Sequence, residues 1–450
     1  MDSGNLSWYL VATALVLLMT PGVAFFYGGL VRAKSVVSMM MMSFGAMGIV
    51  AVLWILYGFS MQNVSTGWVG FVGDPFADFG LAGLASGASS NVDLVGVAFG
   101  ATFAIITVAL ISGAIADRAK FGAWMAFVAL FVTFDYFLVA GWVWNPNGWI
   151  ATLGTHLGLS ANVIDYAGGT AVHINAGSAA LALALVLGKR VGFSKHINKP
   201  HNVPLVLLGA GLLWFGWFGF NGGAAATGGG IAASGSPIGL ITINTLGATA
   251  AAILGWLLVE RFTGRKPTAV GAASGAVAGL VAITPACANL TPGWALLLGL
   301  VAGIVCAKAI ELKYLLRIDD SLDVVGVHLV GGLLGTLYLG LFATGTGLLV
   351  GGNADQLIVQ AIAAISVMAF SFGVSWVIGW SIQKTMGFRI RSEDELAGVD
   401  TVVHGESGYE FPDGTVGSGP IPIIPAVAAA PAAPAEPVEP AVPAADRVLS

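Results

Sequence analysis

The stretch IDYAGGTAVHINAG (residues 164–177) places a histidine in the middle of an apolar helix. It begins with Asp165, which we expect to cap the helix, because a carboxylate there accepts backbone N–H groups that lack intrahelical partners. Gly168 and Gly169 follow, and small residues let membrane helices approach closely. His173 then stands where the chain should cross a bilayer, and ionisable residues at that depth are functional candidates by default.

A second stretch, DSLDVVGVH (320–328), repeats the pattern of DYAGGTAVH (165–173). In both, an aspartate precedes the histidine by eight residues and a valine precedes it directly. His173 lies on the fifth predicted span and His328 on the tenth. Because five is odd, two such halves insert in opposite directions, so the sequence predicts an inverted repeat of two five-helix halves (spans 1–5 and 6–10) plus a final helix. Transporters built this way carry their site near the midplane.

The composition is that of an integral membrane protein. Of the 450 residues, 57% are hydrophobic and 9% charged, with a mean hydropathy of +0.88, whereas soluble domains carry roughly 25% charged residues. Stretches of about 20 apolar residues can cross the hydrocarbon core, and the sequence predicts eleven of them in an all-α polytopic fold within the lipid bilayer. Their approximate centres are Val16, Gly48, Thr102, Ala129, Gly177, Leu213, Ala248, Gly275, Gly303, Leu334 and Val367.

The basic residues predict the orientation. All 18 Lys and Arg lie in or next to alternate connections, and cytoplasmic loops carry the excess of positive charge. We therefore expect a multi-pass protein of the cell (inner) membrane with its N-terminus outside and its C-terminus in the cytoplasm. The basic connections lie at Arg32 and Lys34, Arg118 and Lys120, Lys189–Lys199, Arg261–Lys266, Lys308–Arg317, and from Lys384 onward.

Three regions follow along the chain. Residues 1–386 form the eleven-span domain. Residues 387–411 are polar and chemically varied, and we expect a cytoplasmic regulatory segment that docks on the membrane domain. Residues 412–450 hold nine of the 18 prolines in Ala/Pro-rich sequence, which predicts a disordered tail.

The two in-span histidines leave three interpretations open. Each could be a structural histidine that hydrogen-bonds between helices. They could ligate zinc, but a catalytic zinc site usually has a third protein ligand, and no in-span cluster supplies one, so we predict no metal, cofactor or catalytic residue. Alternatively, two neutral imidazoles can share a hydrogen bond and line a pore for a small neutral solute. A bare cation would be excluded, because an ion in a low-dielectric medium costs on the order of 20 kcal/mol by idealised estimate.

Aromatic residues form a second group in GWVWNPNGW (141–149) and WFGWFGFNGG (214–223). Interfacial belts of Trp and Tyr are ordinary in membrane proteins. A Trp face with nearby Phe rings can also hold a small cation by cation–π attraction.

The chain resembles the bacterial ammonium transporters of the Amt/MEP/Rh superfamily over nearly all of residues 8–410, with the motifs in family order. The stretches that carry the resemblance are TPGVAFFYGGLVRAKSVVSMM (20–40), IDYAGGTAVHINAG (164–177), GKRVGF (188–193), KPHNVP (199–204), GWFGFNGG (216–223), TPAC (284–287), RIDDSLDVVGVH (317–328) and SEDELAGVDTVVHGE (392–406).

The resemblance implies a homotrimeric transporter, not an enzyme, with one pore through each subunit. Ammonium would be recruited at an outer vestibule and deprotonated, and ammonia would pass a twin-histidine pore into the cytoplasm. A PII-type signalling protein would bind the cytoplasmic face, and no nucleic-acid partner is implied. The implied residues are His173 and His328 as the twin pore histidines, Phe103 and Phe220 as the gate, Trp144, Phe103 and Asp165 as the recruitment site, and Trp217 and Asn221 as pore-side support.

Three positions depart from the family pattern. Ala224 stands where relatives have a cation-binding serine, Gly141 where many have a histidine, and Asp135 matches no family residue; Asp135 is either a structural acid or part of an altered mouth. Three rival functions stay open: an ammonium sensor with little flux, a membrane enzyme with a metal on the two histidines, and a carbon dioxide channel as suggested for some Rh members.

Overall fold

The computed structural model describes residues 3–88, 90–193, 199–226 and 236–409. Within these ranges the chain is helical and has no β-strand beyond two isolated bridges, which confirms the predicted all-α class. The described residues belong to one structural unit (1–418), and a second unit (419–450) lies outside them. The predicted disordered tail (412–450) therefore also lies outside the described residues.

Ten helices in the described part of the chain are long and apolar enough to cross a membrane. Another apolar helix, Ala269–Ile283, has 15 residues and rises only about 22 Å, so its crossing stays a prediction. Each predicted span centre falls within one of these eleven helices. In chain order they are α1 (Ser3–Leu30), α2 (Ala33–Gln62), α3 (Val92–Ile115), α4 (Phe121–Trp144), α5 (Gly169–Leu187), α6 (Val203–Ala226), α7 (Ile238–Phe262), α8 (Ala269–Ile283), α9 (Pro292–Leu316), α10 (Val325–Phe342) and α11 (Asp355–Thr385).

Polar side chains fix where several helices begin. The Asn202 side chain accepts a hydrogen bond from the Leu205 N–H at the start of α6, and Thr268 accepts one from the Gly271 N–H at the start of α8. Each cap satisfies a backbone donor that the first turn leaves without a partner.

Two glycines bring α5 and α10 together. A Cβ on Gly177 would lie 2.5 Å from the backbone nitrogen of Leu329 on α10. A Cβ on Gly332 would lie 3.0 Å from the Gly169 carbonyl oxygen and 3.1 Å from the Cβ of His173 on α5. Each glycine stands four residues after a histidine, and α5 and α10 therefore approach closely beside both imidazoles.

The connections that carry basic residues meet at one end of the helix bundle. Arg190 donates to Asp319 at 2.9 Å and to Asp117 at 3.0 Å. Arg118, whose side chain is fully buried, bonds the Asp319 carbonyl oxygen at 2.6 Å and contacts Ser321. Buried charges require partners of this kind, and the resulting buried ion cluster (Asp117, Arg118, Arg190 and Asp319) ties three connections together.

The segment after α11 packs on this same end. Arg389 and Glu395 form an ion pair at 3.1 Å, and the other Glu395 oxygen accepts the Val191 N–H at 2.7 Å. Asp400 accepts the Val37 and Ser38 N–H groups at the start of α2, at 3.0 and 2.7 Å. The described part of the predicted C-terminal segment thus docks on the membrane domain, and its Asp400 side chain caps the start of α2.

Candidate functional site

The two in-span histidines face each other at the crossing of α5 and α10. Their Nδ1 atoms are 3.2 Å apart, and the rings are nearly parallel, at 21° with centroids 5.3 Å apart. His173 is 1% and His328 3% exposed. Because the two nitrogens share one hydrogen bond, one ring donates and the other accepts, so at least one imidazole in this arrangement is neutral.

Each histidine sits in a π-helical turn, Gly169–Ile174 or Val325–Leu329. Such turns are rare in proteins overall, and those that do occur are often found at functional sites. The preceding aspartate caps each helix. Asp165 accepts four backbone N–H bonds of 2.6–3.0 Å, from residues 168–171, while Asp320 accepts two, from Val324 and Val325 at 3.1 and 2.7 Å.

The two caps differ in their electrostatics. Burial raises the pKa of Asp165, and its four backbone donors oppose that shift. Burial and the charge of Asp323 raise the pKa of Asp320 to about 6, against the charge of Lys313 and the two backbone donors. Both carboxyls act at the start of their helix rather than against an imidazole.

Two phenyl rings close the space on one side of the histidine pair. Phe103 and Phe220 stack at 4.1 Å between centroids and 14° between planes. Trp144 meets Phe103 edge-on at 5.8 Å, and its indole N–H donates to the Asp165 carbonyl oxygen at 3.0 Å. Phe220 in turn lies 6.2 Å from the His173 ring. The aromatic and histidine residues named by the resemblance therefore form one continuous column.

Three cavities follow this column. The aromatic cavity, about 300 Å³, lies above the phenyl pair and is lined by Tyr9, Gln62, Gly96, Phe99, Gly100, Phe103, Tyr136, Trp144, Tyr166, Ala167 and Ala224. The narrow cavity, about 10 Å³, is lined by Met19, Val23, Phe26, Tyr27, Ile106, Leu110, His173, Leu213, Trp217, Phe220, Val277 and His328. The basic cavity, about 410 Å³, includes Leu30, Arg190, Arg265 and Lys313 in its wall.

Helix α1 contributes to all three cavities in order. Tyr9 lines the aromatic cavity, Tyr27 the narrow cavity and Leu30 the basic cavity. The 21 helical steps from Tyr9 to Leu30 rise roughly 32 Å, about the thickness of the hydrocarbon core. The narrow cavity has space for about one water-sized molecule, so a solute on this path would pass the histidines singly.

Trp217 and Asn221, the two predicted supporting residues, both lie on α6. Trp217 stacks on the His173 ring at 5.5 Å and donates to the Thr284 hydroxyl at 2.8 Å. Asn221 donates to the Thr245 hydroxyl at 3.0 Å and is fully buried. Both side chains are thereby fixed by neighbouring helices.

The three departures lie in different surroundings. Ala224 lines the aromatic cavity. Gly141 packs so closely that a Cβ would lie 2.6 Å from the Gln62 carbonyl oxygen and 2.7 Å from a Val64 methyl, so a histidine there would require the backbone to move. Asp135 does not line the aromatic cavity; it is fully buried and accepts a hydrogen bond from Ser371 at 3.2 Å.

Sequence reasoning missed Gly177, Gly332 and Thr284. The signal for the two glycines is the spacing itself, because HINAG (173–177) and HLVGG (328–332) both place a glycine four residues after the histidine. Thr284 carries no comparable signal, since its role depends on where α6 lies.

A family model described as Ammonium Transporter Family matches residues 7–409. The chain is 50% identical over 441 residues to an ammonium transporter of Mycobacterium tuberculosis, covering 91% of each chain. It is 40% identical over 415 residues to the ammonium transporter Amt1 of Archaeoglobus fulgidus, covering 91% of this chain and all of the relative.

Solved structures show the same likeness. A structure titled Sensor Amt Protein aligns with a TM-score of 0.80 and 30% identity, over 88% of this chain and 97% of the other. Mep2 of Candida albicans aligns with a TM-score of 0.77 and 33% identity, over 88% of both chains.

Proposed function

Since the chain belongs to the ammonium transporter family, we propose that it takes up ammonium and conducts ammonia through the path lined by His173 and His328. The observation that carries this proposal is the contact of two buried imidazoles, 3.2 Å apart, inside a narrow cavity that holds about one small molecule.

Recruitment takes place in the aromatic cavity, which we place on the outer side. The Phe103 and Trp144 rings, edge-on at 5.8 Å, offer π-faces to a cation, and such contacts are worth roughly 0.5–2 kcal/mol. Asp165 holds the start of α5 beneath Trp144 and receives the indole N–H through its backbone carbonyl. The site thus attracts ammonium without a carboxylate that would hold it tightly.

Before the narrow cavity, ammonium transfers one proton to a water molecule in the aromatic cavity, which carries it away as hydronium, and leaves neutral ammonia. A bare cation entering this largely apolar space would lose most of its hydration, at a cost of several kcal/mol or more. Neutral ammonia loses far less, and it can both donate to and accept from an imidazole nitrogen. The stacked Phe103 and Phe220 rings must separate to admit it, and Trp217 and Asn221 keep the far wall in place.

We place the basic cavity on the cytoplasmic side, because basic connections mark that side of a membrane protein. The released ammonia would leave there between the ends of α1, α8 and α9. The docked segment 387–409 borders the same end of the bundle, and we propose it as the regulatory segment, with a PII-type protein as the partner for this face. We also propose the homotrimer that family membership implies, which native mass spectrometry of the purified protein tests directly.

Reconstituted uptake tests the function. Proteoliposomes that hold the purified chain should take up ammonium and methylammonium, and potassium should neither enter nor compete. Potassium uptake at a comparable rate would overturn conduction as ammonia, and absence of all three fluxes would overturn transport.

A second candidate is an ammonium sensor with little flux. It is favoured by the likeness to the structure titled Sensor Amt Protein. The discriminating result is ammonium-dependent binding of a partner protein to vesicles in which the same preparation shows no methylammonium uptake.

A further inference from the structure

One buried acid remains outside the path described above. Asp135 lies in a π-helical turn of α4, Val132–Tyr136, and its side chain is fully buried. Two neutral side chains contact it in the described structure. Ser371 on α11 donates to its Oδ1 at 3.2 Å, and Asn175 on α5 faces the carboxyl closely enough to interact with it.

The hydrogen-bond inventory of this group is incomplete. Oδ2 of Asp135 and both the oxygen and the nitrogen of the Asn175 amide have no hydrogen-bond partner, although all three are buried. Buried polar atoms without partners destabilise the folded state. Three unsatisfied atoms on two facing side chains therefore point to something that joins them.

A metal or ammonium cation does not match the donors and acceptors that Asp135 and Asn175 present. Such an ion would satisfy the two oxygens but would leave the Asn175 N–H donors facing a positive charge. No described Lys, Arg or His pairs with Asp135. A buried carboxylate without a counter-charge at this depth strongly destabilises the folded protein.

One proton satisfies all three atoms at once. A protonated carboxyl donates through its O–H, and a primary amide both donates and accepts. With a proton on Oδ2, the two groups can form a closed pair, in which Oδ2–H of Asp135 donates to the Asn175 oxygen and the Asn175 nitrogen donates to Oδ1. Ser371 donates a second hydrogen bond to Oδ1, the same carboxyl oxygen that would accept the Asn175 N–H.

We infer that Asp135 is a proton-binding site outside the pore, held as a neutral carboxylic acid by Asn175 and Ser371. Asn175 stands two residues after His173, at the end of the π-helical turn that carries the imidazole. The acid–amide pair thus fixes α5 against α4 next to the twin histidines while it adds no net charge beside the pore. This positioning role, unlike the bound proton, rests on the proposed function.

The test is an infrared difference spectrum of the reconstituted protein at pH 7, wild type minus Asp135→Asn, in water and in D₂O. We expect a carbonyl band of a protonated carboxyl group that shifts on deuteration and is missing in the variant. Asp74→Asn, at an exposed acid, is the control and should remove only ionised-carboxylate bands. If D135N also removes only ionised-carboxylate bands, or leaves the spectrum unchanged, the inference is wrong.

Substitutions separate the bound proton from the positioning role. D135N can form a closed amide–amide pair, so we expect methylammonium uptake within about twofold of wild type.

Asn175→Leu should shift the carbonyl band, because the acid loses its amide partner, and should lower uptake. A band that N175L leaves in place would overturn the pairing. The infrared spectrum does not depend on transport. It would therefore still test the protonation of Asp135 if the protein failed to transport ammonium. Both variants retain the other titratable residues on, or just before, the helices packed around Asp135. These are Asp93, Tyr136, Asp165, His173, Asp355 and Lys384.

Discussion

At the scale of single residues, the site depends on polar groups that are paired without a fixed charge in the narrow cavity. One hydrogen bond of 3.2 Å joins the Nδ1 atoms of His173 and His328, and the neighbouring acids accept from backbone N–H groups instead of contacting the imidazoles. A charge in the path would bind an ion or repel it. The residues of the column therefore suit a neutral solute better than a cation.

We expect Ala224 to weaken recruitment of the cation. It lines the aromatic cavity, and a serine hydroxyl there would offer an acceptor to a bound ammonium ion. Ala224→Ser should lower the KM for methylammonium by up to about tenfold, the equivalent of roughly 1.4 kcal/mol, with Vmax little changed. Ala225→Ser, at the buried neighbouring position, is the matched control. A KM that A224S leaves unchanged would mean that the cation does not bind beside this position.

At the scale of helices, the approach of α5 to α10 determines whether the imidazoles meet. Gly177 contacts the backbone of Leu329, and Gly332 contacts His173 and Gly169. The repeated spacing of histidine and glycine is a helix-packing device, because the residue four positions on lies on the same helix face.

Gly177→Ala tests this packing. The new Cβ would lie 2.5 Å from a backbone nitrogen, and overpacking of this kind typically costs about 1–3 kcal/mol. We expect a lower melting temperature in detergent and reduced uptake. Gly332→Ala should have a smaller effect, since its nearest contacts are 3.0–3.1 Å away. Gly373→Ala, with nothing within 4 Å, should behave as wild type, and equal melting temperatures for all three variants would contradict the account.

The buried ion cluster gives the connections a pH-dependent link. Burial would raise the pKa of Asp319, but the hydrogen bonds and charge of Arg190 and the charge of Arg118 hold it below its ordinary value. An acid whose pKa is lower in the folded state contributes stability above its unfolded pKa, and this contribution is lost as pH falls through the folded value.

Asp319→Asn should therefore lower the melting temperature at pH 7, because removing one partner of a buried ion pair is strongly destabilising. The difference from wild type should shrink as the pH falls below about 4, the ordinary pKa of an unfolded Asp, and towards the lower folded pKa, where Asp319 itself becomes protonated. Asp394→Asn, which breaks a pair whose Arg391 partner is exposed, is the control. A wild-type difference that is constant between pH 7 and the acid range would show that the Asp319 charge contributes nothing.

At the scale of the whole molecule, the pattern of hydropathy and charge predicted the helices well. Every span centre lies within an apolar helix, because about 20 apolar residues in a bilayer have few alternatives to a helix. The residues that line the candidate path were harder to predict from the sequence. The two histidines could be paired through their repeat, but the phenyl stack came from resemblance alone. The Trp217–Thr284 bond, the Asp135–Asn175 contact and the docking of Asp400 on α2 depend on how distant helices are placed, which local pattern does not encode.

The orientation of the molecule can be measured by thiol labelling. The native Cys287 and Cys306 are buried, so single cysteines at exposed positions report their side. A membrane-impermeant reagent added to intact cells should label His156→Cys, on a connection without basic residues, and leave Thr263→Cys, beside Arg261 and Arg265, unlabelled. The reverse pattern would place the basic face outside.

The most direct test of the central claim is methylammonium uptake by proteoliposomes that contain His173→Ala or His328→Ala, each verified as folded by its melting temperature. The account predicts a sharp loss of uptake in each variant, because either substitution leaves the remaining imidazole without its partner inside the narrow cavity. Uptake at the wild-type rate in both variants would contradict conduction along the histidine pair.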